Sequence, residues 1–301
     1  MTEPLHVDVA DLPVRWVSAV EFAAAVTRVS SGAVDSFLLV SERDSGELVR
    51  LPWAPEEEGD VFRALSPDGR VLLLDRPSDD PSRRLHTLEA ANGDQRWLDV
   101  DPDANDADLF ASFSPDGRFI AMVVFVDDPD DTDPDGDDGR CVVSVLDIAS
   151  QTTRRLFTHP GFLGFSCGTA WSPNQQLLAA TYVAMDEAHP EGNFQTVVLA
   201  LDGTVVTHLP GHTVFLSPAS NSAWLDDTTL LCFGDNGVSA VNVRSGQAGP
   251  VVSTGELLGR RGDRLVAYSG RETTALDGTD RRPWLELEPS GSVGRLDFAA
   301  G

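Results

Sequence analysis

Apolar residues along this chain come in short runs, and the runs come in pairs. Phe62–Leu65 is followed by Val71–Leu74, Phe110–Phe113 by Phe119–Phe125, and Ala170–Trp171 by Leu177–Val183. A polar turn separates the members of each pair: Ser66-Pro-Asp-Gly-Arg70, Ser114-Pro-Asp-Gly-Arg118 and, in degraded form, Ser172-Pro-Asn174. Proline sets the first corner of a β-turn and glycine supplies a positive φ, so each stretch predicts strand, tight turn, strand. Asp68 and Asp116 read as turn formers, and a β-branched residue at Gly69 or Gly117 is expected to destabilise. Phe62, Phe113, Trp171 and Trp224 end or stand near the end of first strands and predict packing between repeated units.

A second kind of pair alternates with the first. Its turns are Asp44-Ser-Gly-Glu47, Asn92-Gly-Asp94, Ala149-Ser-Gln151, Asp202-Gly-Thr204, Arg244-Ser-Gly-Gln247 and Asp277-Gly-Thr-Asp280, each flanked by strand-like runs. The last lies between Thr273–Leu276 and Arg282–Leu287. Asp-Gly, Asn-Gly and Ser-Gly between such runs are hairpin signals. Two first-type pairs lack the turn motif but keep the pattern, at Ala223–Phe233 and Leu257–Tyr268. Inner hairpin followed by outer hairpin makes a four-stranded antiparallel blade. Repetition of such blades predicts an all-β fold, a closed β-propeller of six blades, or seven if residues 14–35 build one more. Residues 1–34 are an N-terminal segment, a short helix or a closing strand, and residues 35–301 the propeller. The first blade draws its inner strands from the chain ends, at Val26–Val29 or Val293–Ala299.

The motif aromatic-Ser-Pro-Asp-Gly-Arg, carried by Phe113–Phe119 and in altered form by Leu65–Val71 and Trp171–Leu177, resembles the propeller domain of TolB and related WD-repeat-like propellers. The resemblance spans roughly residues 35–290. It implies a fold and not an activity. Such propellers serve as interaction platforms, as lids beside peptidase domains, and in some cases as lyases or hydrolases. The Gly-x-Ser-x-Gly elbow of the peptidase partner is absent from the sequence, as is the Trp-Asp dipeptide of true WD repeats.

Composition narrows the partners. The chain has 301 residues, 41% of them hydrophobic, and a formal net charge of −26; all 22 basic residues are arginine. Such a field repels phosphates, which argues against nucleic acid and anionic membranes and for a protein or small-molecule ligand. Three separated cysteines and an N-terminus without a basic and apolar leader predict a cytoplasmic protein with free thiols.

Topology gives the predicted sheets two unlike ends. The motif turns and the outer-hairpin turns share one end, where connections are short. The other end holds Arg76–Arg84, Asp127–Arg140 and Ala184–Phe194 within blades. It also holds Pro52–Asp60, Asp101–Asp108, Thr158–Gly168 and Pro210–Asn221 between them. Long loops on a rigid scaffold are the expected binding face. Its candidate residues are Asp127, His159, Asp186, His189, Glu191 and His212. Asp131, Asp133 and Asp135, followed by Gly136, match the start of a calcium loop, and Asp138 is a further candidate ligand for calcium or another divalent metal. The twelfth position is Val142 rather than glutamate, so the pattern is not an EF-hand; a solvated acidic loop is the competing reading. The expected function is a non-catalytic binding platform acting through this acidic face. The alternative is a lyase or hydrolase with a metal-assisted site near His189.

Overall fold

The computed structural model describes residues 5–8, 12–30, 33–53, 60–76, 85–98, 109–127, 139–162, 168–186, 189–214, 223–253, 256–261, 264–268, 282–287 and 293–299. Every regular element among them is a β-strand. The chain opens with β1 (Leu5–Asp8), β2 (Val20–Ser30), β3 (Ala33–Glu42) and β4 (Leu48–Arg50). There follow β5 (Val61–Leu65), β6 (Val71–Asp75), β7 (Leu85–Glu89) and β8 (Gln95–Trp97). Next are β9 (Phe110–Phe113), β10 (Phe119–Asp127), β11 (Gly139–Asp147) and β12 (Thr152–Phe162). The fourth group is β13 (Gly168–Trp171), β14 (Leu177–Asp186), β15 (His189–Ala200) and β16 (Val205–Pro210). The last two are β17 (Thr213–Val214), β18 (Thr229–Gly234), β19 (Gly237–Asn242), β20 (Gln247–Ser253), and β21 (Glu256–Arg261), β22 (Arg264–Tyr268), β23 (Arg282–Leu287), β24 (Val293–Ala299).

Strands β2 to β4 form one antiparallel sheet, and each later group of four forms another in chain order. The third and fourth sheets are joined where Gly161 and Phe162 of β12 pair with Ala184 and Val183 of β14. The first strands β2, β5, β9, β13 and β17 stand side by side, and β2 also neighbours β21. Among the described residues no sheet closes on itself.

The second strands β6 and β10 are almost wholly apolar because the second and third sheets are covered on both faces. Side chains alternate across a strand. Leu72 and Leu74 therefore enter the core shared with the first sheet, and Leu73 enters the core shared with the third. Ile120, Met122 and Val124 likewise face one core, and Ala121 and Val123 the next. In β14, Leu178, Ala180, Tyr182 and Ala184 point one way and Leu177 and Ala179 the other. The aromatic residues closing the first strands lock adjacent sheets. The Trp171 indole donates to the Ser112 carbonyl at 3.3 Å, and that of Trp224 to the Ala170 carbonyl at 3.1 Å. Both indoles are fully buried, and both acceptors stand two residues before the turn serine of the preceding sheet.

The three turns share one hydrogen-bond pattern. Ser66 Oγ donates to Asp68 Oδ1 at 2.6 Å and accepts from the Val71 amide at 2.9 Å, while Asp68 Oδ1 also accepts from the Arg70 amide at 3.1 Å. Ser114 and Asp116 repeat this at 2.7, 2.9 and 3.0 Å. Ser172 and Asn174 keep it at 2.8, 2.9 and 3.0 Å, with Gln175 taking the left-handed place at φ 60°. The aspartates thus hold turn geometry, as expected of them.

Of the two alternatives left open for the N-terminal segment, residues 20–30 take the strand: β2, which contains the candidate inner strand Val26–Val29, pairs with β3 along its length. Val293–Ala299 does not join the first sheet; it pairs with β23 and, in parallel, with β1. β23 pairs with β22 on one edge and β24 on the other, and the Thr273–Leu276 run expected to pair with Arg282–Leu287 lies outside the described residues. The outer edge of β4 is met by residues 13–15: Arg50 donates its amide to the Pro13 carbonyl at 2.9 Å, and Arg15 donates its amide to the Arg50 carbonyl at 3.0 Å. The Arg15 guanidinium reaches Glu42 and Glu47, both at 2.8 Å. With Ser45 it holds the Glu42 carboxyl down at about 2.

Two equivalent glycines are unequally constrained. Gly69 and Gly117 have φ of 70° and 72°. A Cβ on Gly69 would meet the Val17 carbonyl oxygen at 2.6 Å, whereas one on Gly117 would meet nothing nearer than Pro67 Cδ at 3.8 Å. Gly117→Ala is expected to cost about 1–2 kcal/mol from its left-handed backbone alone. Gly69→Ala should cost at least about 1 kcal/mol more, because backbone has to shift as well. Urea unfolding of the two variants checks this; equal losses would contradict it.

Candidate functional site

At the end of the second sheet opposite its motif turn, apolar strands stop at charged residues. Asp60 precedes β5, Asp75 ends β6, and His86 is the second residue of β7. Asp60, Asp75 and His86 are 3%, 1% and 0% exposed. Asp60 takes a two-pronged contact from Arg76 at 2.6 and 2.9 Å, and Asp75 one from Arg63 at 3.2 and 2.6 Å. His86 Nε2 lies 3.4 Å from Asp60 Oδ2, and the His86 ring sits 4.6 Å from that of Trp97. Arg76 lies over Trp97 at 5.4 Å and Arg63 over Phe110 at 5.5 Å. Two carboxylates thus balance two guanidiniums, as buried charge requires. The forks orient both arginines at the roots of the connections after β4 and β6. This cluster was not singled out from sequence. Asp60 opening one apolar run and Asp75 ending the next was the available signal, but their partners come from pairing across strands.

A second group lies on the outer strands of the third and fourth sheets. Register sets His159 of β12 opposite Cys141 of β11. The His159 ring is 5.1 Å from Tyr182 and 6.0 Å from Phe157, which is itself 6.0 Å from His208. The Cys141 thiol donates to the Phe162 carbonyl at 3.1 Å. Burial, and then the neighbouring Cys141, push the Tyr182 phenol up to about 12. Burial pushes the Cys232 thiol up to about 12, which keeps it protonated and unreactive. His208 is lowered, first by burial and then by the charge of His159.

The sequence-predicted residues are brought together only in part. His159 shares the Phe157 ring with His208, which sequence reasoning passed over. His212 belongs to the short link between β16 and β17, its Nδ1 2.9 Å from the Pro210 carbonyl. The His212 carbonyl accepts from Thr196 Oγ1 at 2.8 Å, which contacts Thr181 Oγ1 at 3.0 Å. Asp186 and His189 are register partners at the tip of the β14–β15 hairpin. The expected loop Ala184–Phe194 is therefore mostly strand, since both backbones continue to pair. Asp127 closes β10 opposite Gly139, and Glu191 lies in β15. The side chains of Asp127, Asp186, His189 and Glu191 lie outside the described residues, as do Asp131, Asp133, Asp135 and Asp138 altogether. Among the described residues no three His, Cys, Asp or Glu side chains form a group that could hold a metal ion.

No family model and no curated protein sequence matches the chain. Solved structures do. An acylaminoacyl peptidase of Pyrococcus horikoshii superposes with a TM-score of 0.52 at 11% identity over 96% of this chain and 53% of its own. The chain thus spans about half the length of that peptidase. An oligogalacturonate lyase in complex with manganese gives 0.52 at 13% identity, over 94% of this chain and 77% of the lyase. A structure described as TolB of Agrobacterium tumefaciens gives 0.50 at 17% identity, over 84% of this chain and 87% of that one. At these identities the likeness is one of fold, and the fold is that of a β-propeller built from antiparallel sheets.

The lowered His208 has a signed consequence. An unfolded chain binds the proton near the ordinary value of 6.5, and the folded one only at lower pH. Its contribution to stability is complete above that value and is lost as pH falls through the folded value. Melting temperatures taken between neutral and mildly acidic pH should fall less steeply for His208→Gln than for the parent chain. Parallel curves would contradict the assignment.

Proposed function

We propose that the six groups of strands are blades of one ring and that the chain is an interaction platform engaging a basic protein segment through its acidic loop end. Ring closure is supported by β2, which neighbours both β5 and β21, and by the pairing of the terminal strands β1 and β24. One observation carries the platform reading: strand order puts the acid-rich connections at a single end. The sequences joining β4 to β5, β6 to β7, β8 to β9 and β10 to β11 hold Glu56–Glu58, Asp79 and Asp80, five aspartates between Asp99 and Asp108, and the run Asp128–Asp138. Arg76, at the same end, is already committed to Asp60, and Arg83 and Arg84 match in number only Asp79 and Asp80, so the other three connecting sequences carry a net negative charge. Like charges gathered on a scaffold attract a cationic partner at long range and speed its docking.

The test titrates the protein with an arginine-rich peptide in a calorimeter at about 50 mM and about 300 mM salt. Binding should weaken with salt. It should weaken by about tenfold or more when Asp130, Asp131, Asp133 and Asp135 all become asparagine. An unchanged affinity in that variant would overturn the proposal. A second reading, a metal-assisted lyase or hydrolase, draws on Asp186 and His189 as register partners. Saturable, stoichiometric heat with manganese or calcium, lost in His189→Ala, would favour it instead.

A further inference from the structure

The turn end of the sheets carries a concavity that the platform reading leaves unused. Adjacent motif turns nearly touch there: a Cβ on Gly117 would stand 3.8 Å from Pro67. The Val20 amide donates to the Pro67 carbonyl at 2.8 Å and ties the first sheet to the same spot. Between the second and third sheets these turns leave an open cleft of about 470 Å³. That is within the range of small-molecule sites, and the lining combines two characters.

Part of the lining is apolar, from Val71, Phe113 and Ile148, flanked by Pro67 and Pro115, beside the polar Ser66 and Thr87. Phe113 is a core residue, 2% exposed, so the floor is backed by the rigid inter-sheet core. The rim is anionic. Asp68, Glu89, Asp94 and Asp116 all line the cleft, with Arg96 as the one arginine in that lining and Arg70 beside Asp68. The two turn aspartates have one oxygen engaged in the turn; Oδ1 of Asp68 accepts from Ser66 and Arg70, and Arg70 Nε reaches Asp68 Oδ2 only at 3.9 Å. Asp116 is approached further by the Gln175 side-chain amide, which can donate its nitrogen to both oxygens at 3.0 and 3.1 Å when the amide is turned to face them. Glu89 and Asp94 close the outer wall, their backbones bonded through the Glu89 amide and Asp94 carbonyl at 2.9 Å.

An apolar floor beneath a rim of carboxylates complements a molecule with a methylene stem and ammonium ends. A hydrated metal ion would gain nothing from the floor, and a neutral hydrocarbon nothing from the rim. We propose that this cleft binds a small aliphatic polyamine, its stem laid over Phe113 and Ile148 and its ammonium groups on Glu89, Asp94 and Asp68. The site lies at the opposite end of the sheets from the loop face and does not rest on the platform reading.

Spermidine is the probe, titrated into the full chain by calorimetry, with magnesium at matched ionic strength as the control. Saturable one-to-one binding is expected with spermidine and not with magnesium. Glu89→Gln with Asp94→Asn should weaken it by about tenfold or more. Asp44→Asn with Asp235→Asn removes the same charge from exposed turns outside the cleft and should leave the affinity within about twofold. Asparagine at Asp130, Asp131, Asp133 and Asp135 should likewise leave it unchanged, which separates this site from the loop end. Equal weakening in the cleft pair and the control pair would mean that spermidine reads net charge alone and would overturn the proposal. So would binding confined to the arginine-rich peptide, or magnesium competing as well as spermidine. Far-ultraviolet circular dichroism and melting temperature confirm that each variant is folded.

Discussion

Burial of every middle sheet on both faces is the constraint from which the rest of this molecule follows. A strand such as β6 cannot be amphipathic when its odd and even side chains both meet a neighbouring sheet. Leu72 and Leu74 must suit one core and Leu73 another. The sheets are thereby held face to face at a separation set by side-chain volume. That separation brings each first strand close enough to the next for an indole to cross between them, as Trp171 and Trp224 do. A stack this rigid leaves the strand ends as the places where sequence is free to vary. The charged clusters and the cleft are found there.

Local chemistry made part of this legible from sequence. The motif turns could be read because their hydrogen bonds run between residues only a few positions apart. Ser172 and Asn174 show that the pattern survives loss of both aspartate and glycine, since asparagine also offers an acceptor and Gln175 tolerates a left-handed backbone. The closing aromatics could be read because Phe113 and Trp171 directly precede the turn serines Ser114 and Ser172. The ion pairs of Asp60, Asp75, Arg63 and Arg76 were hidden, because register between strands decides which charges meet. Partnership of distant strands was equally hidden: β1, at the start of the chain, pairs in parallel with β24 near its end. In blade-like repeats any outer strand offers an edge to several plausible neighbours, and only the whole sheet selects one.

The two ends of the sheets carry different chemistry. At the loop end, Arg63 and Arg76 are each fixed by a buried carboxylate and an aromatic face, so they anchor the connections. The remaining acidic character belongs to the connecting sequences themselves. At the turn end, acids serve first as hydrogen-bond acceptors for backbone amides; Asp147 and Asp202 are both lowered by such bonds. Their negative charge there is a by-product of turn building, and the cleft between the second and third sheets gathers it over an apolar floor. In such an arrangement the cores carry stability, and the ends are where chemistry can vary without disturbing them.

Double-sided burial is tested most directly by a mutant cycle on neighbouring residues that face opposite cores. Leu73 and Leu74 are both fully buried, one in each core. Urea unfolding of Leu73→Ala, Leu74→Ala and the double variant gives the coupling between them. Each single change should cost about 2–4 kcal/mol, and the two losses should add to within about 0.5 kcal/mol because the cavities share no lining. A coupling above about 1 kcal/mol, or a negligible cost for either change, would show that the two side chains share one core and that the sheets do not stack as described.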